Sequence, residues 1–122
     1  MTADAYEKGM KVRREVLGDE HVDRSEAARN SFNDELVDLV TRHAWGDIWT
    51  RPGLDRRTRS LVTVAMLVAL NRPEELALHV RGAIRNGVTR EELKEVLLQS
   101  AVYCGVPAGN NAFRVAAEAL DA

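Results

Sequence analysis

The amino-acid sequence predicts an all-α fold, a single-domain bundle of about six helices. Three observations support this prediction. Apolar residues recur at helical spacing in most windows, no window alternates convincingly with a period of two, and glycine and proline separate the periodic segments. A chain of 122 residues is long enough for one hydrophobic core. We expect one domain over residues 1–122, with a helical extension at 1–30 and a core at 31–121.

Two amphipathic helices are predicted in the first half of the chain. The first has helical spacing from Tyr6 to Leu17, and Gly18 is a good stop signal. Residues 18–30 are polar and charged, which is more typical of a connector or a short helix than of a core element. The second amphipathic helix ends near Gly46. Its apolar face consists of Leu36, Val37, Val40 and Ala44.

The next helix is predicted to be the most buried one. It follows the loop at residues 51–54, and Asp55 is a credible N-cap. Residues 61–70 are apolar on every side, so we expect this helix to be central. Together with an Ala-rich final helix, it gives the chain more apolar surface than one monomer readily covers. We therefore expect self-association into a homo-oligomer.

Three more helices complete the predicted bundle. Pro73 suits the first turn of a helix that runs to Gly87, and Thr89 with Glu92 forms a capping box for the following helix. The buried face of that following helix consists of Leu93, Val96, Leu97, Ser100 and Ala101. A break at residues 105–107 precedes the last helix. The small apolar residues of the last helix are Ala112, Val115, Ala116 and Ala119.

Composition excludes several classes of function. A net charge of −2 and a pI near 5.9 argue against a general nucleic-acid binder. The N-terminus lacks a basic stretch followed by an apolar one, and residues 61–70 are about half of a membrane span. We expect a cytoplasmic protein without nucleic-acid or membrane partners. The one basic cluster lacks the interleaved aromatic residues that stack on bases: Arg51, Arg56, Arg57 and Arg59.

Metal and disulfide chemistry are also disfavoured. His21, His43 and His79 lie far apart and lack the spacing of metal ligands, so we expect no metal site. Cys104 is the single cysteine, so no intramolecular disulfide and no Cys-x-x-Cys motif can form. We expect it to be a small buried thiol rather than a nucleophile.

The candidate site lies at the start of the helix that begins with Pro73. Glu75 and His79 are four residues apart, so they share a helix face, and Arg72 directly precedes the first turn. A carboxylate beside an imidazole, with a guanidinium nearby, suits proton transfer and anion binding.

Several motifs resemble those of the carboxymuconolactone decarboxylase family. The longest is WGDIWTRPGLDRRTRSL at residues 45–61. The others, in order, are LHVRGA (78–83), NGVTREE (86–92), EVLLQ (95–99) and YCGVPA (103–108). The resemblance implies an all-α, hexameric carboxy-lyase of the alkylhydroperoxidase-like superfamily. Its cofactor-free reaction would convert 4-carboxymuconolactone to 3-oxoadipate enol-lactone and carbon dioxide in protocatechuate catabolism.

The wider superfamily contains thiol peroxidases, and this chain departs from them. Those proteins carry Cys-x-x-Cys-x-x-x-His on the corresponding helix and a glutamate on the preceding one. Aligning their histidine with His79 places Arg72 and Glu75 at the two cysteine positions, and Ser60 at the glutamate position. A disulfide-based peroxidase is therefore disfavoured.

The resemblance implies roles for the candidate residues. His79 would protonate carbon or donate to the lactone oxygen. Glu75 would orient or charge His79, or would lie near the departing carboxylate and disfavour it, although each residue also fits a structural role. Three arginines are candidates for binding the substrate carboxylates or for ion pairs: Arg72, Arg51 and Arg57. Trp45 and Trp49 would wall the pocket or pack in the core. Asn110 and Asn111 suit either an oxyanion or a helix cap.

The sequence leaves two alternatives to this decarboxylase open. One is a non-catalytic oligomeric binding or scaffold protein of the same fold, in which His79 is structural. The other is a paralogous enzyme that acts on a related carboxylated lactone. For the decarboxylase and for the paralogous enzyme alike, the expected partner is a small dicarboxylate lactone that serves as substrate.

Overall fold

The computed structural model describes the backbone of residues 2–121 and the side chains of residues 4–121. Every regular element in this range is a helix, which confirms the all-α prediction. The α-helices are α1 (Thr2–Leu17), α2 (Asp19–Ala27), α3 (Asp34–Leu39), α4 (Arg56–Ala69), α5 (Pro73–Arg85), α6 (Arg90–Cys104) and α7 (Val106–Asp121). A π-helix, Val40–Ile48, continues α3. The chain divides into two compact units, Met1–Asp55 and Arg56–Ala122.

In the first unit, α1 packs closely on the π-helix. A Cβ atom at Gly9 would collide with the carbonyl oxygen of Thr41, and one at Gly46 would collide with that of Ala5. The two backbones therefore touch directly, which is possible because neither position carries a side chain. Thr41 is fully buried at this crossing, and its Oγ1 donates to the carbonyl oxygen of Val37 at 2.7 Å.

The π-helix is a feature that the apolar pattern did not predict. The sequence predicts one amphipathic helix that ends near Gly46, whereas the observed helical segment changes its winding at Val40 and ends at Ile48. The hydrogen bond from the Trp49 amide to the Ala44 carbonyl, at 2.9 Å, spans five residues as a π-helix requires.

Charged residues connect the polar segment after Gly18 to α1. This segment forms α2, one of the two structures that its composition predicted. The Arg13 side chain is buried and donates to Glu26 at 3.1 Å and to the Ser25 hydroxyl at 2.6 Å. Because a buried guanidinium needs such partners, α2 is attached to α1 by specific polar contacts as well as by apolar burial.

Arg29 forms a second polar cluster in the first unit. Its guanidinium donates to Asp34 at 2.7 Å, to Asp38 at 3.1 Å and to the Tyr6 hydroxyl at 3.1 Å. The hydrogen bond to Asp38 is the main cause that raises the pKa of Arg29 above its ordinary value. The cluster connects α1, α3 and the turn before α3.

The second unit contains one contiguous hydrophobic core. Helix α5 packs on α4 and α7, and α6 packs on α4 and α7. The buried core residues are Val64, Val68, Leu76, Val80, Ala83, Val88, Leu93, Leu97, Ala112, Val115, Ala116 and Ala119. This set includes all four small residues predicted for the last helix, and Gly109 allows α7 to approach Ala101 of α6 closely.

Helix α4 differs from its prediction. It buries one face, with Ser60, Val64 and Val68, whereas Met66 is 58% exposed, and Leu70, directly after the helix, is 60% exposed. The prediction of a central helix that is buried on every side is therefore wrong. Apolar residues on every side of a helix do not show how many neighbouring helices pack against it. In this fold α5, α6 and α7 cover one side of α4.

The predicted helix ends agree well with the structure. Pro73 opens α5, the capping box of Thr89 and Glu92 opens α6, and Gly105 separates α6 from α7 with a φ of 104°. Helix α5 ends at Arg85, two residues before the predicted Gly87, which has a φ of 91°. Such left-handed backbone favours glycine, so both glycines act where the chain must leave a helix.

Candidate active site

Helix α5 positions the group Arg72, Glu75 and His79. The chain reverses at Asn71, which has a left-handed φ of 57°, and Pro73 then starts α5. Leu76 and Val80 are buried on the core side of the helix. Glu75 and Arg72 are exposed, and His79 is half-buried.

His79 lies at the boundary between the core and the surface of the second unit. Its Nδ1 atom is buried, while the residue as a whole remains partly exposed. A ring in this position is sheltered from bulk water but still within reach of a small ligand, as a proton donor must be. The orientation of His79 by Glu75 stays a prediction.

Arg72 has a structural partner at the end of α4. Its Nη1 donates to the carbonyl oxygen of Leu70 at 3.0 Å. Carbonyl groups that follow the last turn of a helix lack intrahelical donors, so this contact stabilises the α4–α5 turn. Its role in substrate binding stays a prediction.

Arg57 lies in the first turn of α4 and forms an ion pair with Glu92. Glu92 also accepts a hydrogen bond from the Thr89 amide at 2.9 Å, which completes the capping box of α6. One carboxylate therefore joins the beginnings of α4 and α6. The sequence identified Glu92 only as a capping residue, because its ionic partner is distant in the chain.

A buried polar contact also joins α4 to the end of α5. The side-chain amide of Asn86 donates to the Ser60 hydroxyl at 2.9 Å, and Ser60 is fully buried. The local sequence pattern predicts no role for Asn86. It is seven residues after His79, and this spacing, two turns along one helix face, is the signal that could have drawn attention to it.

The first unit places the predicted tryptophan pair together. The rings of Trp45 and Trp49 stack with centroids 5.0 Å apart and an interplanar angle of 26°. Trp45 is buried and Trp49 is half-buried. Arg51 is exposed just after the π-helix, and its amide donates to the Ile48 carbonyl at 3.0 Å. The substrate-binding roles of these three residues stay predictions.

The prediction of a buried thiol at Cys104 is wrong. Cys104 is exposed, and it contributes to a shallow apolar depression of about 360 Å³ between α4 and α6. The reason is its position as the last residue of α6, four residues beyond Ser100, which is the last buried residue of that helix.

The two asparagines at the start of α7 differ in their surroundings. Asn110 is exposed, whereas Asn111 is half-buried and accepts a hydrogen bond from Arg114 at 2.5 Å. Arg114 also contacts Glu118, one turn further along the same helix. Asn111 thus belongs to a polar cluster along α7, and an oxyanion-binding role for either asparagine stays a prediction.

Two kinds of feature are absent from the part of the chain that the structure describes. No three histidine, cysteine, aspartate or glutamate side chains there are grouped so as to hold a metal ion. No helix there has both the length and the apolar character needed to cross a membrane.

Comparison with known proteins identifies the family. Residues 34–118 match the carboxymuconolactone decarboxylase family. A 4-carboxymuconolactone decarboxylase from Acinetobacter baylyi is 50% identical over 113 residues, which cover 93% of this chain and 84% of that protein. The chain belongs to the carboxymuconolactone decarboxylase family.

Two further relatives are also named as decarboxylases. A nitrosuccinic acid decarboxylase from Metarhizium robertsii is 46% identical over 102 residues, which cover 84% of this chain and 71% of that protein. A 4-carboxymuconolactone decarboxylase from Pseudomonas putida is 57% identical over 42 residues, which cover 34% of this chain and 88% of that protein.

Membership of the carboxymuconolactone decarboxylase family confirms the resemblance drawn from the motifs. Helices α1 and α2 precede the matched residues 34–118. The matched residues contain every predicted site residue: Trp45, Trp49, Arg51, Arg57, Arg72, Glu75 and His79.

Proposed function

We propose that this chain is a carboxy-lyase that converts 4-carboxymuconolactone to 3-oxoadipate enol-lactone and carbon dioxide without a cofactor. The observation that carries the proposal is the 50% identity to a 4-carboxymuconolactone decarboxylase over 93% of the chain. The proposal extends to a cytoplasmic enzyme of protocatechuate catabolism with an alkylhydroperoxidase-like fold and a homohexameric assembly.

The substrate supplies its own electron sink in the proposed reaction. The bond between the ring carbon and the departing carboxylate breaks, and its electron pair delocalises through the ring double bond onto the lactone oxygen. The resulting furan-like oxyanion takes a proton at the ring carbon next to the carbonyl group. The protein then has three tasks, which are to anchor the retained carboxylate, stabilise the oxyanion and deliver the proton.

His79 is the residue that we assign to the oxyanion and the proton. Its half-buried position suits a proton donor that is shielded from bulk water and still within reach of a small substrate. Glu75, one turn earlier on α5, is assigned to orienting the ring or to favouring its charged form. Whether His79 protonates the carbon or only donates to the oxyanion depends on the position of the substrate.

Arginine side chains are assigned to the substrate carboxylates. A guanidinium offers a planar fork of N–H donors that matches both oxygens of a carboxylate. Arg57 and Arg72 lie in the second unit, and Arg51 lies in the first. Trp45 and Trp49 are assigned to excluding water, since the half-buried ring of Trp49 stacks on the buried ring of Trp45.

The experiment that tests the proposal is a direct assay. Purified protein is incubated with 4-carboxymuconolactone, and carbon dioxide release is followed together with the loss of the conjugated lactone absorbance. We expect turnover without added metal or cofactor, and unchanged turnover after treatment with a chelator. No release of carbon dioxide would refute the proposal and favour a binding or scaffold role.

A second substrate class is favoured by the relative from Metarhizium robertsii, which is a nitrosuccinic acid decarboxylase 46% identical to this chain. In 2-nitrosuccinate the nitro group would accept the electron pair as a nitronate, so the same division of tasks would apply. The same assay with 2-nitrosuccinate in place of 4-carboxymuconolactone distinguishes the two substrates. The preferred substrate is the one with the higher kcat/KM.

A further inference from the structure

The first turn of α4 breaks a general rule of helix electrostatics. The amide end of a helix is positive, so acidic residues are favourable there and basic ones are not. The first turn of α4 contains Arg56, Arg57 and, just beyond, Arg59, and it has no acidic residue. Asp55 directly precedes this turn, but three guanidinium groups outnumber its one carboxylate, so the start of α4 concentrates positive charge.

Glu92 supplies a negative charge to this turn from another helix. Its Oε1 accepts the Thr89 amide at 2.9 Å, and its Oε2 contacts Nη2 of Arg57. The Thr89 hydroxyl oxygen in turn accepts a hydrogen bond from the Glu92 amide at 3.1 Å. The carboxylate is therefore held in place by the capping box before it meets Arg57, so the ion pair costs little additional side-chain entropy.

The same geometry leaves Arg57 able to bind another anion. The side chains of Arg57 and Glu92 are 41% and 34% exposed, so the pair is neither buried nor fully solvated. A guanidinium has five N–H donors, and Glu92 faces it at Nη2. The remaining donors can form the paired contact that a carboxylate prefers.

We infer that Glu92 is a positioning residue that holds the Arg57 guanidinium ready for a substrate carboxylate. This inference rests on the proposed function, in which Arg57 is a substrate ligand. The opposite effect would be competition, in which Glu92 occupies Arg57 and the substrate must displace it. The two effects change substrate binding in opposite directions, so they can be distinguished experimentally.

The test is the variant Glu92→Gln, assayed with 4-carboxymuconolactone. Glutamine still accepts the Thr89 amide, so the capping box and α6 remain, whereas the ionic attraction to Arg57 is lost. We expect KM to rise about threefold to fivefold, the size of a partly exposed ion pair. We expect kcat to stay near the wild-type value, because Arg57 binds the retained carboxylate and does not react.

Glu91→Gln is the matched control. Glu91 is exposed, lies in the same first turn of α6 and carries the same charge. This variant should leave KM and kcat unchanged, which would show that the effect of Glu92 depends on its contact with Arg57 and not on net charge. Thermal unfolding of both variants checks that the fold is retained.

A double-mutant cycle with Arg57→Gln completes the test. If Glu92 acts through Arg57, then Glu92→Gln has no further effect on KM once Arg57 is replaced. A lower KM in Glu92→Gln, an unchanged KM, or effects that simply multiply would each overturn the inference while the proposed function stands. Absence of turnover by the wild type would instead remove the proposed function, and this inference with it.

Discussion

His79 is the single residue on which the proposed chemistry most depends. It is half-buried on α5, with its Nδ1 buried, and the two charged members of the predicted group, Arg72 and Glu75, are exposed. The imidazole is the part of this group that the protein shelters. A proton donor benefits from such shelter because water would otherwise compete for the developing negative charge.

We predict that His79→Ala lowers kcat by about 10²-fold to 10⁴-fold, the usual contribution of a positioned general acid or base. The measurement is steady-state carbon dioxide release, with circular dichroism to confirm the helical content. Cys104→Ser is the control, and it should retain activity because this thiol is exposed in the apolar depression between α4 and α6. Full activity of His79→Ala, or none in Cys104→Ser, would contradict these assignments.

Arg29 is a residue whose role is structural. Its guanidinium donates hydrogen bonds to Asp34, Asp38 and Tyr6, and these hydrogen bonds raise the pKa of Arg29 above the ordinary arginine value. A raised pKa means that the stabilisation is fully present below the unfolded pKa and is lost only as the pH rises through the still higher folded value. Across the accessible pH range Arg29 should therefore remain charged.

We predict that Arg29→Met lowers the free energy of unfolding by about 1–3 kcal/mol, typical for hydrogen bonds to charged groups. The loss should be equal at pH 7 and at pH 10, as measured by urea denaturation followed by circular dichroism. Arg24→Met is the control, since Arg24 forms an exposed pair with Glu20 whose removal should cost little. A loss that disappears at pH 10 would refute this account.

At the scale of elements, the crossing of α1 with the π-helix depends on two glycines. Alanine normally favours a helix over glycine by about 1 kcal/mol. At Gly9 alanine should instead destabilise the protein. The new Cβ would collide with the Thr41 carbonyl oxygen, and a backbone atom cannot rotate away. The π-helix contains Trp45 and is followed directly by Trp49, so this crossing also supports the tryptophan stack.

We predict that Gly9→Ala destabilises the protein by about 1–3 kcal/mol, the usual cost of overpacking. The measurement is the shift of the urea midpoint, together with the tryptophan fluorescence of the folded state. Gly53→Ala provides the matched control, because a Cβ at Gly53 meets no atom within 4 Å. Equal stability of the two variants would show that α1 and the π-helix can separate at little cost.

At the scale of the whole molecule, the second unit leaves a large apolar surface exposed. The largest exposed apolar residues at the ends of α4 and α6 and the start of α7 are Met66, Leu70, Val102, Tyr103 and Val106. Exposed apolar side chains are enriched where proteins contact one another. This surface supports the proposal of a homo-oligomer, whose hexameric state stays a prediction.

We predict that the double variant Met66→Lys/Val102→Lys dissociates the oligomer, because each lysine places a charge in an apolar contact. The measurement is size-exclusion chromatography with light scattering at several protein concentrations. Lys94→Glu, an exposed charge change on α6 outside this surface, should leave the assembly intact. A monomeric wild-type protein would contradict the prediction.

The amino-acid sequence was sufficient to predict the helical architecture and the spacing of the site residues on α5. Helix ends are set by neighbouring residues, so Gly18, Pro73, Gly105 and the capping box of Thr89 and Glu92 could be recognised without a structure. The spacing of Arg72, Glu75 and His79 follows from the helical period alone. The motifs between residues 45 and 108 also indicated the family without a structure, because each motif is a continuous stretch of the chain.

Which helix surfaces are covered, and which distant side chains make contact, is visible only in the folded structure. Periodicity cannot show that α4 has one exposed apolar face, because that depends on how many helices pack against it. Nor can local patterns reveal the pairs Arg57–Glu92 and Ser60–Asn86, whose members lie on different helices. Contacts between helices arise from packing in three dimensions, and a one-dimensional pattern constrains only the face that each helix presents.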